Sequence, residues 1–486
     1  MRSKYVMQLP LVAFLGVLLS FGLTNNSYAI TVNIQSVTVQ SNCALNVNGV
    51  VHFTRKLPAT AVTFDLITPN SVQPVRLVTN LLLQAGGVFQ WSGPVPNYFS
   101  IPANSTIKVT TNRQVNSTAS VPTCTTPLPP SPTPGTLLNF KGVGSQVMAD
   151  AYYSAVDPSN ERRTLGEWWS TNGFTFDANG NSTNGIRTSY LNFNDLGSGR
   201  DMHFLQGNDG TVAAYVTNYG NFDQDPNNAN LAANRTNPGA TVAMEYSPVG
   251  TGATPIVKFF VYNGGTATAP RVPSADLDGF GQKFVPNLCL NCHGGTYSPS
   301  NPQSPTSAEI NMGASFRELD IATYKFPDGR LVANATEKAA FKQQNMIVKS
   351  TATSNISIQP IKDLIAGWYH GTSTDQDNTF TPSGWIGFPQ QSLYHDVIKE
   401  SCRTCHIALD ASTSSTGIGF ITYDQLKSRY SLLKNFVLCG SPVMPHAIIT
   451  YKNFWLSTSP HRPNVLRDFS AQGWGAGAAG TPLGPC

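Results

Sequence analysis

The sequence predicts a multidomain β plus α protein, with a β-sandwich first, a β-rich middle region next and a mainly helical C-terminal region last. Three observations carry this expectation. Short β-branched or alternating apolar runs fill residues 30–125. A proline block then interrupts the chain. From Glu337 onward the apolar residues recur at helical rather than strand spacing.

The elements follow in order. Arg2 and Lys4 precede an apolar stretch from Leu9 to Leu23, and Ser27-Tyr28-Ala29 supplies small residues at a cleavage site. Residues 1–29 are therefore expected to be a secretory signal cut after Ala29. No later segment holds the ~18 uninterrupted apolar residues that a membrane span needs, so no span is expected after cleavage. Thr31 to Ile34, Val50 to Phe53, Ala61 to Leu66, Val75 to Leu83 and Thr106 to Thr111 read as strands, most of them bounded by Pro, Asn or Gly. Several short strands in 30–125 resemble, by pattern, an immunoglobulin-like β-sandwich. Five prolines between Pro127 and Pro134 favour an extended spacer, which makes 126–136 a linker. Within 137–486, residues 137–280 look β-rich, with strands at Thr211 to Tyr219, Ala240 to Tyr246 and Ile256 to Tyr262. Helical spacing follows at Glu337 to Val348, Pro360 to Tyr369, Pro389 to His406 and Tyr423 to Leu438, with Thr422 placed to cap the last.

Composition narrows the function. Charged residues make up 12% of the chain against about 25% in typical soluble domains. A formal net charge of +4 is too slight to argue for nucleic acid or an anionic membrane as partner. Eight cysteines in an exported chain should not stay free thiols. Four of them stand in two C-x-x-C-H motifs, Cys289-Leu290-Asn291-Cys292-His293 and Cys402-Arg403-Thr404-Cys405-His406. The other four allow three pairings, and Cys43–Cys124 with Cys439–Cys486 keeps each bond within one domain.

C-x-x-C-H has a mechanical meaning. Two thiols three residues apart share one face of a helical turn and reach the two vinyl groups of one porphyrin. The following His then meets the iron from the proximal side. A four-cysteine zinc site would place its C-x-x-C pairs ~15–20 residues apart, whereas Cys289 and Cys402 are separated by 113 positions. Nor is there the βαβ setting of a redox C-x-x-C. The expected cofactors are two covalently bound haem c groups, anchored by Cys289 and Cys292 with His293 on iron, and by Cys402 and Cys405 with His406 on iron. Residues 281–380 would carry the first and 381–486 the second.

Around the second motif, Leu393, Val397 and Ile398 form the apolar side of an attachment helix. Ser441-Pro442-Val443-Met444-Pro445 is a proline-stiffened loop, and Ile448 to Leu456 is a closing apolar segment with Phe454 and Trp455. In this order of parts residues 389–457 resemble class I cytochromes c. The resemblance implies a helical cytochrome c-like fold with Met444 as the distal ligand, and His446 is the nearest alternative. Thioether sulfur favours ferrous iron, so a His/Met site implies a raised potential.

The first motif lacks a following Met-Pro, and Gly294-Gly295 ends its helical turn early. His203 ranks first as its distal ligand, ahead of Met202 and His370, with Met312 and Met346 behind and an empty distal site as the alternative. His395 is expected to be structural, and His52 and His461 to lie at the surface. No G-x-S-x-G, Walker loop or H-E-x-x-H is present. The leading expectation is single-electron transfer between exported redox proteins, in the bacterial periplasm or outside the cell. The alternative is a di-haem peroxidase or oxygenase, whose first haem is catalytic and whose second relays electrons; its acid or base would come from Glu245, Asp201 or His203. The N-terminal sandwich would then be a docking module or a spacer.

Overall fold

The computed structural model describes residues 30–125 and 141–466 apart from short stretches, the longest being 40–44, 54–60, 70–74, 94–99, 352–357, 410–418 and 438–447. The chain divides into two compact units, Met1–Thr126 and Pro127–Cys486. Both sheet and helix are present in quantity, so the fold is mixed β plus α.

The first unit is all β. Its strands are β1 (Ile30–Val39), β2 (Leu45–Phe53), β3 (Ala61–Ile67), β4 (Val75–Leu82), β5 (Val88–Gly93), β6 (Ser100–Ile101), β7 (Thr106–Thr111), β8 (Asn116–Ser120) and β9 (Cys124–Thr125). They pair antiparallel in the orders β1-β2-β5, β4-β3-β7-β8 and β6-β9. Alternation decides what is buried, because successive side chains of a strand point to opposite faces. Leu45, Val47 and Val51 of β2 and Phe89 of β5 meet Phe64 and Leu66 of β3 and Ile107 and Val109 of β7 in one core. The Phe64 and Phe89 rings pack edge to face at 5.6 Å, bridging the two larger sheets. Gly49 leaves the gap that the Phe89 ring fills.

The second unit is built on a five-stranded antiparallel meander, β10 (Ile186–Leu191), β11 (Gly199–Gln206), β12 (Val212–Tyr219), β13 (Pro238–Ser247) and β14 (Ile256–Tyr262), in consecutive order. Every residue of β12 and β14 is buried, so both faces of the sheet are covered. Its edges are closed by helices. Helix α1 (Gln146–Val156) offers the Tyr152 and Tyr153 hydroxyls, which accept from the β14 amides of Phe259 at 2.8 Å and Val261 at 3.2 Å. These contacts occupy edge groups that would otherwise template another strand. Helix α2 (Leu165–Thr171) starts from a capping box between Thr164 and Glu167 and lays Trp168 and Trp169 against Tyr215. Helix α3 (Asn227–Asn234) lies beside β10 and β11. These three helices fall in 137–280, which the sequence reading assigned chiefly to strands.

A short pair, β15 (Ser274–Ala275) and β16 (Lys283–Phe284), leads into α4 (Asn287–His293). Helix α5 (Ala335–Ser350) closes the β10 edge, where Gln344 donates to the Ile186 carbonyl at 2.9 Å. Helix α6 (Ile358–Trp368) buries Ile361, Leu364, Ile365 and Trp368. Helix α7 (Gln390–Leu393), a π-helix over Tyr394–Cys402 and α8 (Arg403–His406) form one continuous helical run. The helix predicted over 423–438 is divided into α9 (Tyr423–Ser428) and α10 (Tyr430–Leu433), with Thr422 and Gln425 forming the expected cap. Last comes α11 (Ile448–Trp455).

Two apolar cores result. The larger joins the meander to α1, α2 and α4–α6. The smaller gathers Leu393, Tyr394, Val397 and Ile398 with Leu426, Tyr451, Phe454 and Trp455. The second C-x-x-C-H stands between them: Cys402 packs on the small core, while Ile407 and Ala408 belong to the large one. Among the described residues no helix is long and apolar enough to cross a membrane.

Candidate functional site

Helix α4 is held from both sides by asparagines. Asn287 donates to the Lys141 carbonyl at 2.7 Å, and the Asn291 side-chain oxygen accepts from the Lys141 amide at 3.0 Å. Gly294 ends the helix at φ +71°, a left-handed value that favours glycine. Any Cβ at that position would collide with the Ala408 carbonyl oxygen, two residues beyond the second motif. Glycine here therefore lets the two motifs touch.

His293 is fixed by a reciprocal pair. Its carbonyl accepts from the Ser315 amide at 2.9 Å, and its Nδ1 donates to the Ser315 carbonyl at 2.9 Å. With the proton on Nδ1, the lone pair of Nε2 is left for a metal, the usual way an outer hydrogen bond sets the tautomer of a ligating histidine. Withdrawal from bulk water, aided by Arg317 and Arg200 and opposed by the Ser315 carbonyl, pushes its pKa down to about 4. The imidazole is neutral at pH 7, as a ligand must be.

In the second motif the π-helix widens the run that carries Cys402. The Arg403 amide donates to Ile398, five residues back. The Arg403 side chain donates to the Tyr394 hydroxyl at 2.8 Å, pairs with Asp320 and lies over the Trp368 ring at 5.3 Å. His406 is buried and stacks on Phe420 with ring centres 4.2 Å apart. The neighbouring Cys292 thiol, together with burial, raises the pKa of Cys405. The four motif cysteines are free thiols. The two motifs thus lie side by side, α4 against α8.

Beside them opens a cavity of about 180 Å³. Cys289, Cys292 and His293 line one wall, and Arg403 and Thr404 of the second motif line another. The sheet supplies Arg200, Met202, Phe204, Val216, Val242 and Met244. A loop from Phe316 to Asp320 adds Arg317, which donates to the Cys292 carbonyl at 2.9 Å, and the carboxylates Glu318 and Asp320. Arg200 Nε is buried there without a hydrogen-bond partner. Paired thiols, a neutral imidazole with a bare Nε2, a mixed-polarity cavity and an unpartnered guanidinium nitrogen are the chemistry that would hold a covalently attached porphyrin with acidic side groups. Among the described residues no three His, Cys, Asp or Glu side chains converge as they would on a bare metal ion.

His203 is not brought to this cavity, which corrects its ranking as distal ligand. On β11, residues 200, 202 and 204 face the cavity, and period two sends Asp201 and His203 to the opposite face. There His203 Nε2 meets Asp201 at 3.2 Å and its ring stacks on Tyr215 at 4.5 Å. Arg187 and Arg235 also pair with Asp201. Burial works against that carboxylate, but these partners hold its pKa down at about 2. Glu245 lies on the same far face. It is bound by Arg162 at 2.6 Å and Lys258 at 2.9 Å, which overcome burial and keep its pKa at about 2. The three acid–base candidates of the enzyme reading are therefore all engaged on the far face, Asp201 and Glu245 in ion pairs and His203 as a neutral partner of Asp201.

Of the remaining candidates, Met202 lines the cavity. His370 is exposed at the end of α6, its ring held at Gly367. Met346 lines a separate groove between α5 and β11. Met312 is buried behind Gly295. His395 meets the Thr381 hydroxyl at 2.8 Å, the structural role expected of it, and His52 is exposed. Met444, His446, His461, Cys43, Cys439, Cys486, the Cys124 side chain, the 126–136 linker and the signal segment 1–29 lie outside the described residues.

Sequence reasoning missed Met244, Arg200, Arg317, Glu318 and Asp320. Two signals were present. The alternation of 199–206 separates Met202 from His203, and the charged run Arg317-Glu318-Leu319-Asp320 stands out in a chain so poor in charge. No protein-family model matches the chain, and no curated protein matches it either.

Proposed function

We propose that this chain is an exported di-haem cytochrome c that passes single electrons between redox proteins. The observation that carries the reading is the close approach of two complete C-x-x-C-H motifs, α4 against α8 and Gly294 against Ala408, beside a cavity bordered by both. Haem bound in this way supplies one-electron ferrous–ferric chemistry. Cys289 and Cys292 would hold one group and Cys402 and Cys405 the other. His293, neutral and oriented by Ser315, would meet iron at the first site, and His406, braced by Phe420, would do so at the second. Because the attachment points touch, the path between the centres is short. Met202 and Met244 bring soft sulfur to the wall of the first cavity, and Arg200, Arg317 and Arg403 supply cations for acidic side groups.

The small core, in which α11 packs on the attachment helix, supports the class I cytochrome c reading of 389–457 with Met444 as distal ligand. The two larger sheets of the first unit, sharing one core, support the immunoglobulin-like reading of 30–125 as a docking module. Export to the periplasm or beyond rests on the 1–29 signal pattern. A pyridine haemochrome assay with low-temperature electron paramagnetic resonance tests the whole reading. Two haems per chain, both low-spin, are expected; a chain without haem contradicts it.

One observation favours a second reading. The first cavity holds the hydroxyls of Tyr190 and Tyr324 on the same lining as His293, with Glu318 and Asp320 ion-paired to Arg317 and Arg403, and phenol hydroxyls can transfer protons in a peroxidase or oxygenase. High-spin ferric bands and carbon monoxide binding to the reduced protein would favour this enzyme, with the first haem catalytic and the second its relay.

A further inference from the structure

We propose that Arg403, a residue of the second C-x-x-C-H motif, and its partner Asp320 set the reduction potential of the haem held by the first motif. The inference rests on the haem reading above and concerns which charges that site feels. Charge is scarce in this chain, at 12% of residues, so a buried ion pair facing a cavity stands out. Arg403 and Asp320 are each only 6% exposed and pair with one another. Both line the cavity that Cys289, Cys292 and His293 border.

The pair is held from all sides. Arg403 also donates to the Tyr394 hydroxyl at 2.8 Å and lies over the Trp368 ring at 5.3 Å. The Asp320 carboxylate accepts from the Gln376 side chain at 2.6 Å and from the Ala322 amide at 3.3 Å. Salt screens a buried pair of this kind far less than a surface pair. The segment that carries Asp320 begins at Ser315, whose backbone grips His293, and is pinned on the way by Arg317 to the Cys292 carbonyl. A charge from the second motif is thus delivered to the wall of the first site by a loop tied to that site's own histidine.

The direction of the effect follows from charge. Reduction adds one electron to ferric iron, so a nearby cation favours the ferrous product and a nearby carboxylate favours the ferric reactant. Removed from water, each acts more strongly than it would in solvent. Axial ligands and surrounding electrostatics together set a haem potential. Arg403 therefore raises the potential of the first haem and Asp320 lowers it. Removing either leaves the other charge uncompensated.

The test measures midpoint potentials by spectroelectrochemistry on the full chain matured with haem, with dithionite as reductant and ferricyanide as oxidant. The wave of the first haem is the one lost when Cys289 and Cys292 are replaced by serine, and the one kept when Cys402 and Cys405 are. In Arg403→Gln that wave is expected to fall, with the ferrous-to-ferric ratio at fixed potential dropping about tenfold, or ~59 mV for one electron. In Asp320→Asn it should rise, and in Arg403→Lys, which keeps the charge, it should move much less. A pair that only packs the cavity wall would shift the wave in one direction in both charge-removing variants, as water enters. A shift of the same sign in Arg403→Gln and Asp320→Asn, or no shift in either, overturns the proposal. Should Arg403→Gln not fold, Asp320→Asn decides alone, a rise supporting the proposal and a fall or no change refuting it. A native chain that carries no haem defeats the earlier reading, whereas a loaded chain whose first wave ignores both charges defeats only this inference.

Discussion

Met202 and His203 are neighbours in sequence and on opposite sides of a sheet. Their separation is the sharpest residue-level consequence of the fold, because one strand step exchanges a cavity wall for a buried hydrogen bond to Asp201. Met202→Leu is expected to change the absorption and paramagnetic signature of one haem while costing less than about 1.5 kcal/mol of stability, as volume-conserving swaps do. His203→Leu is expected to leave the spectra alone and lower stability by about 1–3 kcal/mol, because it strips a hydrogen bond from the buried Asp201. The reverse pattern, read by spectroscopy and denaturant melts, would place the ligand on the wrong face. The ranking of His203 treated residues 199–206 as loop-to-strand. A strand reading would have put Met202 with Arg200, since alternation is legible in sequence, whereas the loop 316–320 that completes the wall reaches the site only through tertiary packing.

At the level of elements, the strands and helices with clean periodicity were legible. The β7 run Thr106–Thr111 and the helix around Glu337 to Val348 are where the spacing put them, each extended by a few residues at most. Helices α1 and α2 were overlooked although Ser145 and the Thr164–Glu167 box mark their starts, because aromatic-rich sequence in a Gly/Asn-rich setting reads as strand. The tight junction of the motifs was legible only as Gly294-Gly295, a feature first taken as a helix stop. Gly294→Ala is expected to cost more than about 1–3 kcal/mol, combining a left-handed backbone with a collision against Ala408. It should also reduce haem loading at both motifs together, measured as haem per chain. Loss at one motif alone would show that the junction does not couple them.

The far face of the meander gives an element-level pH prediction. Glu245 has its pKa held at about 2 against an ordinary 4.5. Its folded pKa is the lower one, so its contribution is complete above 4.5 and is lost as pH falls from there through about 2. Urea unfolding midpoints should drop across that window. Glu245→Gln should be less stable at pH 7 by about 3–5 kcal/mol, because Lys258 stays buried without its counter-charge, and should show a shallower acid dependence. Parallel pH curves for the two proteins would refute the assignment.

For the molecule as a whole, the division at Thr126 and Pro127 gives the first unit a core of its own, separate from the two of the second. A chain lacking residues 30–125 is expected to take up the same haem per chain and to keep its spectra, while exchanging electrons more slowly with whichever exported protein the sandwich docks. The central claim is that porphyrin is fixed to this polypeptide at both motifs. It is tested most directly by peptide mass spectrometry of protein matured with a haem-attachment system. Added haem mass is predicted on the peptide bearing Cys289 and Cys292 and on the one bearing Cys402 and Cys405; unmodified cysteines at both would contradict the account.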